Sequence, residues 1–299
     1  MIKNLKRFKP LISILIILTT ITAAVYYLVN HKNLITNLTK ISPLLILLVL
    51  ILYIFMLFVL VIVFQFTVRL LNIRLNIKDN ILLNCYSVFM NFFIPGQTGP
   101  IYRGYYLKTK HKVKAIDFTL ATAIYFAIYV IISILFILFG SQSILLAFLA
   151  SIIFIIAILF SVKIYLNKEN AKLNISLKNI SLLALITIIQ LLLQTLIYLI
   201  ELHSVDKTVS LRNALTYSGS AAVTIFVSLT PGAIGIREAF LILTRHLSHL
   251  SNSSIVLANI IDRSVFLIYL LLIGIFILVF HINKRINFND KEKSSVKNQ

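Results

Sequence analysis

The stretch VSLTPGAIGIRE, residues 227–238, sets a proline, two glycines and an Arg-Glu pair inside an otherwise apolar region. Proline removes an amide donor and clashes with the preceding helical turn, and glycine accepts backbone angles that other residues avoid. The apolar run that leads into it, Asn213 to Thr230, is therefore predicted to end in a non-helical turn at Pro231, Gly232 and Gly235. A second break lies upstream, where Asn80 to Ile94 stops at PGQTGP with Pro95, Gly96 and Gly99. Each run is predicted to be a half-helix, and the chain around the two breaks decides what they do.

That chain is 60% hydrophobic with a mean hydropathy of +0.98 over 299 residues, more apolar surface than one soluble core hides. A helix rises about 1.5 Å per residue, so about 20 apolar residues cross a hydrocarbon layer of about 30 Å. About six stretches qualify: Leu11 to Val29, Leu44 to Phe64, Phe118 to Phe139, Ile144 to Val162, Ile180 to Ile200, and Ser254 to Ile282. The first follows Lys3, Lys6, Arg7 and Lys9 like a signal peptide. It exceeds the usual h-region of about 7–15 residues and lacks a small-x-small cleavage site, so a retained helix is predicted. Lipid offers no partner to unpaired backbone groups, and the alternation of a membrane barrel is absent, so the spans must be helical.

The net charge of +19 comes from 28 Lys and Arg against 9 Asp and Glu. These cations fall between apolar runs and form no patch interleaved with aromatics, which argues for loop charge and against a nucleic-acid partner. Cys85 is the single cysteine, which excludes an intrachain disulfide and a cysteine metal cluster. His246 and His249 lack a third ligand nearby, so no metal and no cofactor are expected.

Lys and Arg favour the cytoplasmic side of a membrane, and this rule separates two topologies. If both broken stretches return to the side they came from, 21 Lys and Arg lie inside and only Lys32, Lys40, Lys207, Arg212 and Arg245 lie outside. If both cross, the balance falls to about 14 against 13, which no insertion rule prefers. Two re-entrant hairpins are therefore predicted, the first opening to the cytoplasm and the second to the outside, with both termini cytoplasmic. The halves align at a constant offset: Leu44 with Ile180, Pro95 with Pro231 and Phe118 with Ser254, each 136 residues apart. An inverted repeat with a broken helix at matching positions points to a transporter binding site. The expected organisation is one membrane domain over residues 1–299, with repeats at 11–139 and 144–282 and a disordered basic tail at 283–299.

Four charges accompany the second break: Arg237 and Glu238 after the turn, and Asp262 and Arg263 in the last span. A central Arg costs about 2.5–3.5 kcal/mol on insertion scales, so such charges face a cavity or each other. One explanation pairs Glu238 with Arg263 and Asp262 with Arg237 merely to neutralise a buried cluster. The other has the arginines hold a phosphate, which suits their planar fork, while the acids keep them oriented. The first hairpin offers Asn91, Gln97, Tyr102 and Arg103. They either line a headgroup site with the freed turn amides or terminate a helix at the interface, with Arg103 snorkelling. The run Arg103 to Lys114 is most simply a positive-inside loop, and Gln190 and Gln194 more simply join helices than touch a substrate. No nucleotide loop or nucleophile elbow is present, so a transporter is expected rather than an enzyme.

The elements PGQTGPIYR, PGAIGIRE and IDRSVF resemble the flippase-like transmembrane domain of the lysylphosphatidylglycerol synthase family. That family has a Pro-Gly-x-x-Gly turn in each half, an Arg after the first, a Glu after the second and an acid-Arg pair in the following helix. The resemblance implies an all-α integral membrane protein of the cytoplasmic membrane that moves or handles a phospholipid or a polyprenyl-linked lipid between leaflets. A lipid-modifying enzyme or an accessory subunit of a lipid-synthesis pathway is the alternative, and a homo-oligomer or a lipid-synthesis enzyme is the partner it suggests. The chain ends after its last span, so it is not expected to make the lysyl-lipid itself. Pro100 stands where many relatives have an acid, and Tyr125-Phe126 stands where the first-half acid-Arg pair is expected. The charged machinery is thus predicted to be concentrated in the second half.

Overall fold

The computed structural model describes residues 42–94, 98–141, 173–224 and 230–296. Among these residues there are nine α-helices and no strand. They are α1 (Pro43–Arg69), α2 (Ile77–Phe93), α3 (Thr98–His111), α4 (Ala115–Ser141), α5 (Leu177–Val205), α6 (Leu211–Val223), α7 (Ile236–Leu243), α8 (Arg245–Ser248) and α9 (Asn252–Val296). A single 3-10 turn, Pro231–Ala233, precedes α7. The spans expected at Leu11 to Val29 and Ile144 to Val162 lie outside the described residues, as do Pro95, Gly96 and Gln97.

Among the described residues four helices are long and apolar enough to cross a membrane: Pro43–Arg69, Ala115–Ser141, Leu177–Val205 and Asn252–Phe280. Their outward faces are as apolar as their inward ones. On α1, Val49, Tyr53 and Met56 are buried while Leu47, Phe55 and Phe58 are exposed, as a lipid solvent demands. Polar caps mark where helices start. Pro43 occupies the first turn of α1 behind Ser42, whose hydroxyl accepts from the Leu44 amide. Asn76 caps α2, Ser176 caps α5, and Ser210 with Asn213 forms a capping box at α6.

Cross-chain contacts gather the outer helix ends at two poles. At the first pole the Asn174 amide donates to the Leu70 carbonyl, joining the end of α1 to the start of α5. There too Tyr106 and Lys110 at the end of α3 reach Asp79 at the start of α2. At the second pole Ser254 donates to Asp206, joining the start of α9 to the end of α5, and Asn213 of α6 donates to the Ser248 carbonyl. The α2–α3 pair is thus an antiparallel hairpin opening to the first pole, and the α6–α7 pair with α8 returns to the second. The order long, medium, short, long occurs twice, with starts at 43, 77, 98 and 115 and then at 177, 211, 236 and 252. Arg69, Arg74, Lys78, Lys108, Lys110, Lys112, Lys114 and Lys178 gather at the first pole, against Lys207, Arg212 and Arg245 at the second.

Helices α4 and α6 lie closest. A Cβ on Gly219 would sit 2.5 Å from the Ser133 carbonyl, and one on Gly140 would sit 2.5 Å from the Arg212 carbonyl. Small residues let backbones approach where lipid supplies no hydrophobic drive between helices.

Two boundaries differ from expectation. Helix α6 ends at Val223, capped by Thr224, before the proline is reached. Its last turn already tightens, with the Thr224 amide donating to the Ala222 carbonyl and the Thr224 hydroxyl to Ala221. Helix α9 continues through Val296, so the segment from Asn283 expected to be disordered is helical to that point. It holds no Pro or Gly, and a running helix propagates through polar residues more easily than one nucleates.

Candidate functional site

The second break folds as its residues dictate. Gly232 and Gly235 have φ of 58° and 85°, angles that disfavour a side chain, and a Cβ on Gly232 would press on the Phe92 ring of α2 at 2.9 Å. The turn of one hairpin therefore rests on the other. Gly235 opens α7 as its N-cap, and its amide donates to Oε2 of Glu238 at 2.7 Å. That bond uses one of the free donors of the helix start and turns Glu238 back beneath the turn.

The other oxygen of Glu238 takes Arg263 of α9, from Nε at 3.1 Å and Nη2 at 3.0 Å. Asp262 takes Arg237 at 2.8 Å and also accepts from the Tyr53 hydroxyl of α1. The sequence-level pairing of these four charges is thus the observed one. The two pairs differ in depth. The side chains of Arg237 and Asp262 are 11% and 3% exposed, those of Arg263 and Glu238 21% and 24%. Arg237 also lies over the Tyr198 ring at 5.0 Å, while its Nε and Nη2 have no hydrogen-bond partner among the described residues.

Between the hairpins lies a cavity of about 320 Å³. Asn91, Phe92, Pro100 and Arg103 of the first hairpin line it, and so do Thr230, Gly232, Ala233 and Arg237 of the second. The four long helices close it with Tyr53, Tyr125, Tyr129, Gln190, Gln194, Tyr198, Arg263 and Tyr269. Concave spaces of this size, mainly apolar with a few convergent polar groups, are where ligands of headgroup size sit.

The first hairpin contributes through neutral amides. Arg103 donates to Oδ1 of Asn84 at 2.6 Å and stacks over Phe64 at 4.6 Å. Asn84 in turn donates to Asn80, which donates to Gln65 of α1 at 3.0 Å. No ion pair involves Arg103 among the described residues. Asn91 is less free than expected, because Oδ1 accepts the Gly99 amide at 2.7 Å and so holds α3 against α2. Tyr102 is not brought to the cavity: it packs on Tyr86 and on the cluster around Leu107 and Phe118. Gln190 does line the cavity while accepting from the Tyr125 hydroxyl at 3.1 Å.

Sequence reasoning passed over Glu201. It is fully buried in α5, and neither carboxyl oxygen has a hydrogen-bond partner among the described residues. Its signal was visible as an acid in the apolar run LIYLIELHSV, but the span was taken to end at Ile200, one residue short. The aromatic walls were also missed, since tyrosines scattered over separate helices share no sequence spacing.

Among the described residues, three arginines, two paired acids and two oppositely opening hairpins thus surround one cavity. No curated protein matches the chain. Residues 10–274 match the lysylphosphatidylglycerol synthase transmembrane region, and the chain belongs to that family of membrane proteins with a lipid-related function.

Proposed function

We propose that this protein carries a phosphate-bearing lipid headgroup between leaflets, holding it in the cavity between the two hairpins. The observation that carries this reading is the charge balance of the cavity. Arg103, Arg237 and Arg263 all line it, while among the described residues only Asp262 and Glu238 pair with them. Arginine's planar fork suits phosphate, and a site with one cation in excess admits one anionic charge without stranding another. The volume holds a headgroup, and acyl chains stay in the lipid against the apolar outer faces of the spans.

On this reading the two halves are an inverted repeat, the basic pole faces the cytoplasm, and the cavity opens to each leaflet in turn as the hairpins rock. The protein then acts as a carrier rather than a catalyst. The test uses proteoliposomes with fluorescently tagged phosphatidylglycerol and a membrane-impermeant quencher. Wild-type protein should speed leaflet exchange, and Arg263→Ala and Arg103→Ala should slow it at least about tenfold with the fold intact, the scale of one lost charge-assisted contact. Chemical conversion of the tagged lipid without leaflet exchange would replace the carrier by a lipid-modifying enzyme. Unchanged exchange in both variants would refute the cavity as the site.

A further inference from the structure

We propose that Glu201 is a proton-binding site linked to the headgroup cavity through the shared cation Arg237. The proposal rests on the carrier reading and adds what it leaves open, a coupling ion.

Glu201 is fully buried and both its carboxyl oxygens lack partners among the described residues, as do Nε and Nη2 of Arg237, whose charge acts on Glu201. Nε and Nη2 form the side of a guanidinium that meets a carboxylate with two parallel bonds, so the orphaned donors and acceptors match in number and kind. Arg237 gives its remaining Nη1 to Asp262. One cation therefore acts on two acids. The groups around Glu201 are Tyr53 of α1, Tyr217 of α6, Arg237 of α7 and Asp262 of α9, with Tyr198 on its own helix. The Tyr217 hydroxyl is likewise without a partner among the described residues. Arg237 is the single cation of that set and Asp262 already claims it, so Glu201 carries its proton in this arrangement.

The consequence is a linkage. With Glu201 neutral, three arginines face two paired acids and the cavity has a net positive charge that attracts a phosphate. When Glu201 ionises, it draws the free side of Arg237 and cancels that charge. Protonation of Glu201 and binding of an anionic headgroup therefore favour each other, and by reciprocity each raises the affinity for the other. No bond is made or broken except the O–H of the carboxyl, whose proton comes from water and returns to it.

The test uses the whole protein in nanodiscs with dihexanoyl-phosphatidylglycerol as probe. Calorimetry in buffers of different ionisation enthalpy reads the protons taken up on binding, and infrared spectroscopy reads the carbonyl band of a protonated carboxyl. The wild type should show that band at neutral pH and take up protons on binding as Glu201 ionises. Its affinity should fall about tenfold per pH unit beyond that point. Glu201→Gln should lose the band and the proton uptake and bind with a pH-independent affinity. A wild type without the band, without binding, or with the same proton uptake as Glu201→Gln overturns the proposal. Linked binding without leaflet exchange in the proteoliposome assay overturns the carrier reading alone.

Discussion

If Arg237 stands between two acids, removing both should cost far more than the single changes predict. Asp262 is 2% exposed and Glu201 fully buried, so neither site is relieved by water. Glu201→Gln replaces a neutral acid by a neutral amide of the same shape and should change stability by less than about 1 kcal/mol. Asp262→Asn removes the ionised partner of Arg237, but Glu201 then ionises and takes the cation, which limits the loss to about 1–2 kcal/mol. The double variant leaves Arg237, 11% exposed, with no acid within reach but Glu238, which already holds Arg263 and the Gly235 amide. Stranding one member of a buried pair costs about 3–5 kcal/mol. The coupling energy between the two sites should therefore be about 1–3 kcal/mol, within the span seen for groups in one network. Reversible unfolding of the protein in mixed micelles, followed by tyrosine fluorescence, measures all four corners of the cycle. Additivity within about 0.5 kcal/mol would refute the shared cation, as would a single Asp262→Asn as damaging as the double.

Two further outcomes follow from the frame around the cavity. Gly219→Val puts a branched side chain where a Cβ alone meets the Ser133 carbonyl at 2.5 Å, so α4 and α6 must separate. A loss of at least about 3 kcal/mol in the same unfolding assay is expected, beyond the usual range for overpacking because the obstacle is backbone. At the second pole the Asp206 carboxylate is held below its ordinary value by the hydroxyl and amide of Thr208, with Ser254 adding to it. A group depressed by folding contributes stability that is present above its unfolded value and lost as the pH falls through its folded one. Asp206→Asn should lower stability at neutral pH, flatten the acid side of the profile and converge with the wild type at low pH, and an unaltered acid limb would contradict it.

The break between α2 and α3 and the one at Pro231 were legible in the sequence because proline and glycine act locally, whatever surrounds them. The four described spans were legible because lipid demands an unbroken apolar run, and the sense of each hairpin because basic residues segregate by pole. The pairing of Arg237 with Asp262 and Arg263 with Glu238 also followed, since four charges in an apolar setting have few ways to cancel. Other features depend on which face of a helix meets which neighbour. Tyr102 and Arg103 are adjacent in sequence, yet one turns to the cluster around Phe118 and the other to the cavity. All four long helices are apolar around their whole circumference, so periodicity gave no face to choose. Glu201 was hidden by its place near a span's end, where an acid ordinarily belongs to solvent.

The depth of Glu201 gives the proton a direction. Asp206 and Ser254 are hydrogen-bonded and so lie at one level near the second pole. Counting inward at about 1.5 Å per residue, Glu201 is about 7 Å below that level and Asp262 about 12 Å below it. Glu201 thus lies between the cavity charges and the second pole, the one with few basic residues. The starts of α1 and α5 lie 134 residues apart and those of α4 and α9 lie 137 apart, so the counterpart of Glu201 is Thr67, whose hydroxyl donates to the Val63 carbonyl, and that of Asp262 is Tyr125, whose hydroxyl donates to Gln190. On the carrier reading, an acid on one side and neutral hydroxyls on the other would make the two halves unequal. If the second pole faces outward, alkali outside the cell draws the proton from Glu201 and lowers the cavity's affinity for an anion. Proteoliposomes with protein in one orientation should then show slower exchange when the second-pole side is made alkaline than when the first-pole side is. Equal rates for the two gradients would mean that proton access to Glu201 is not confined to that pole.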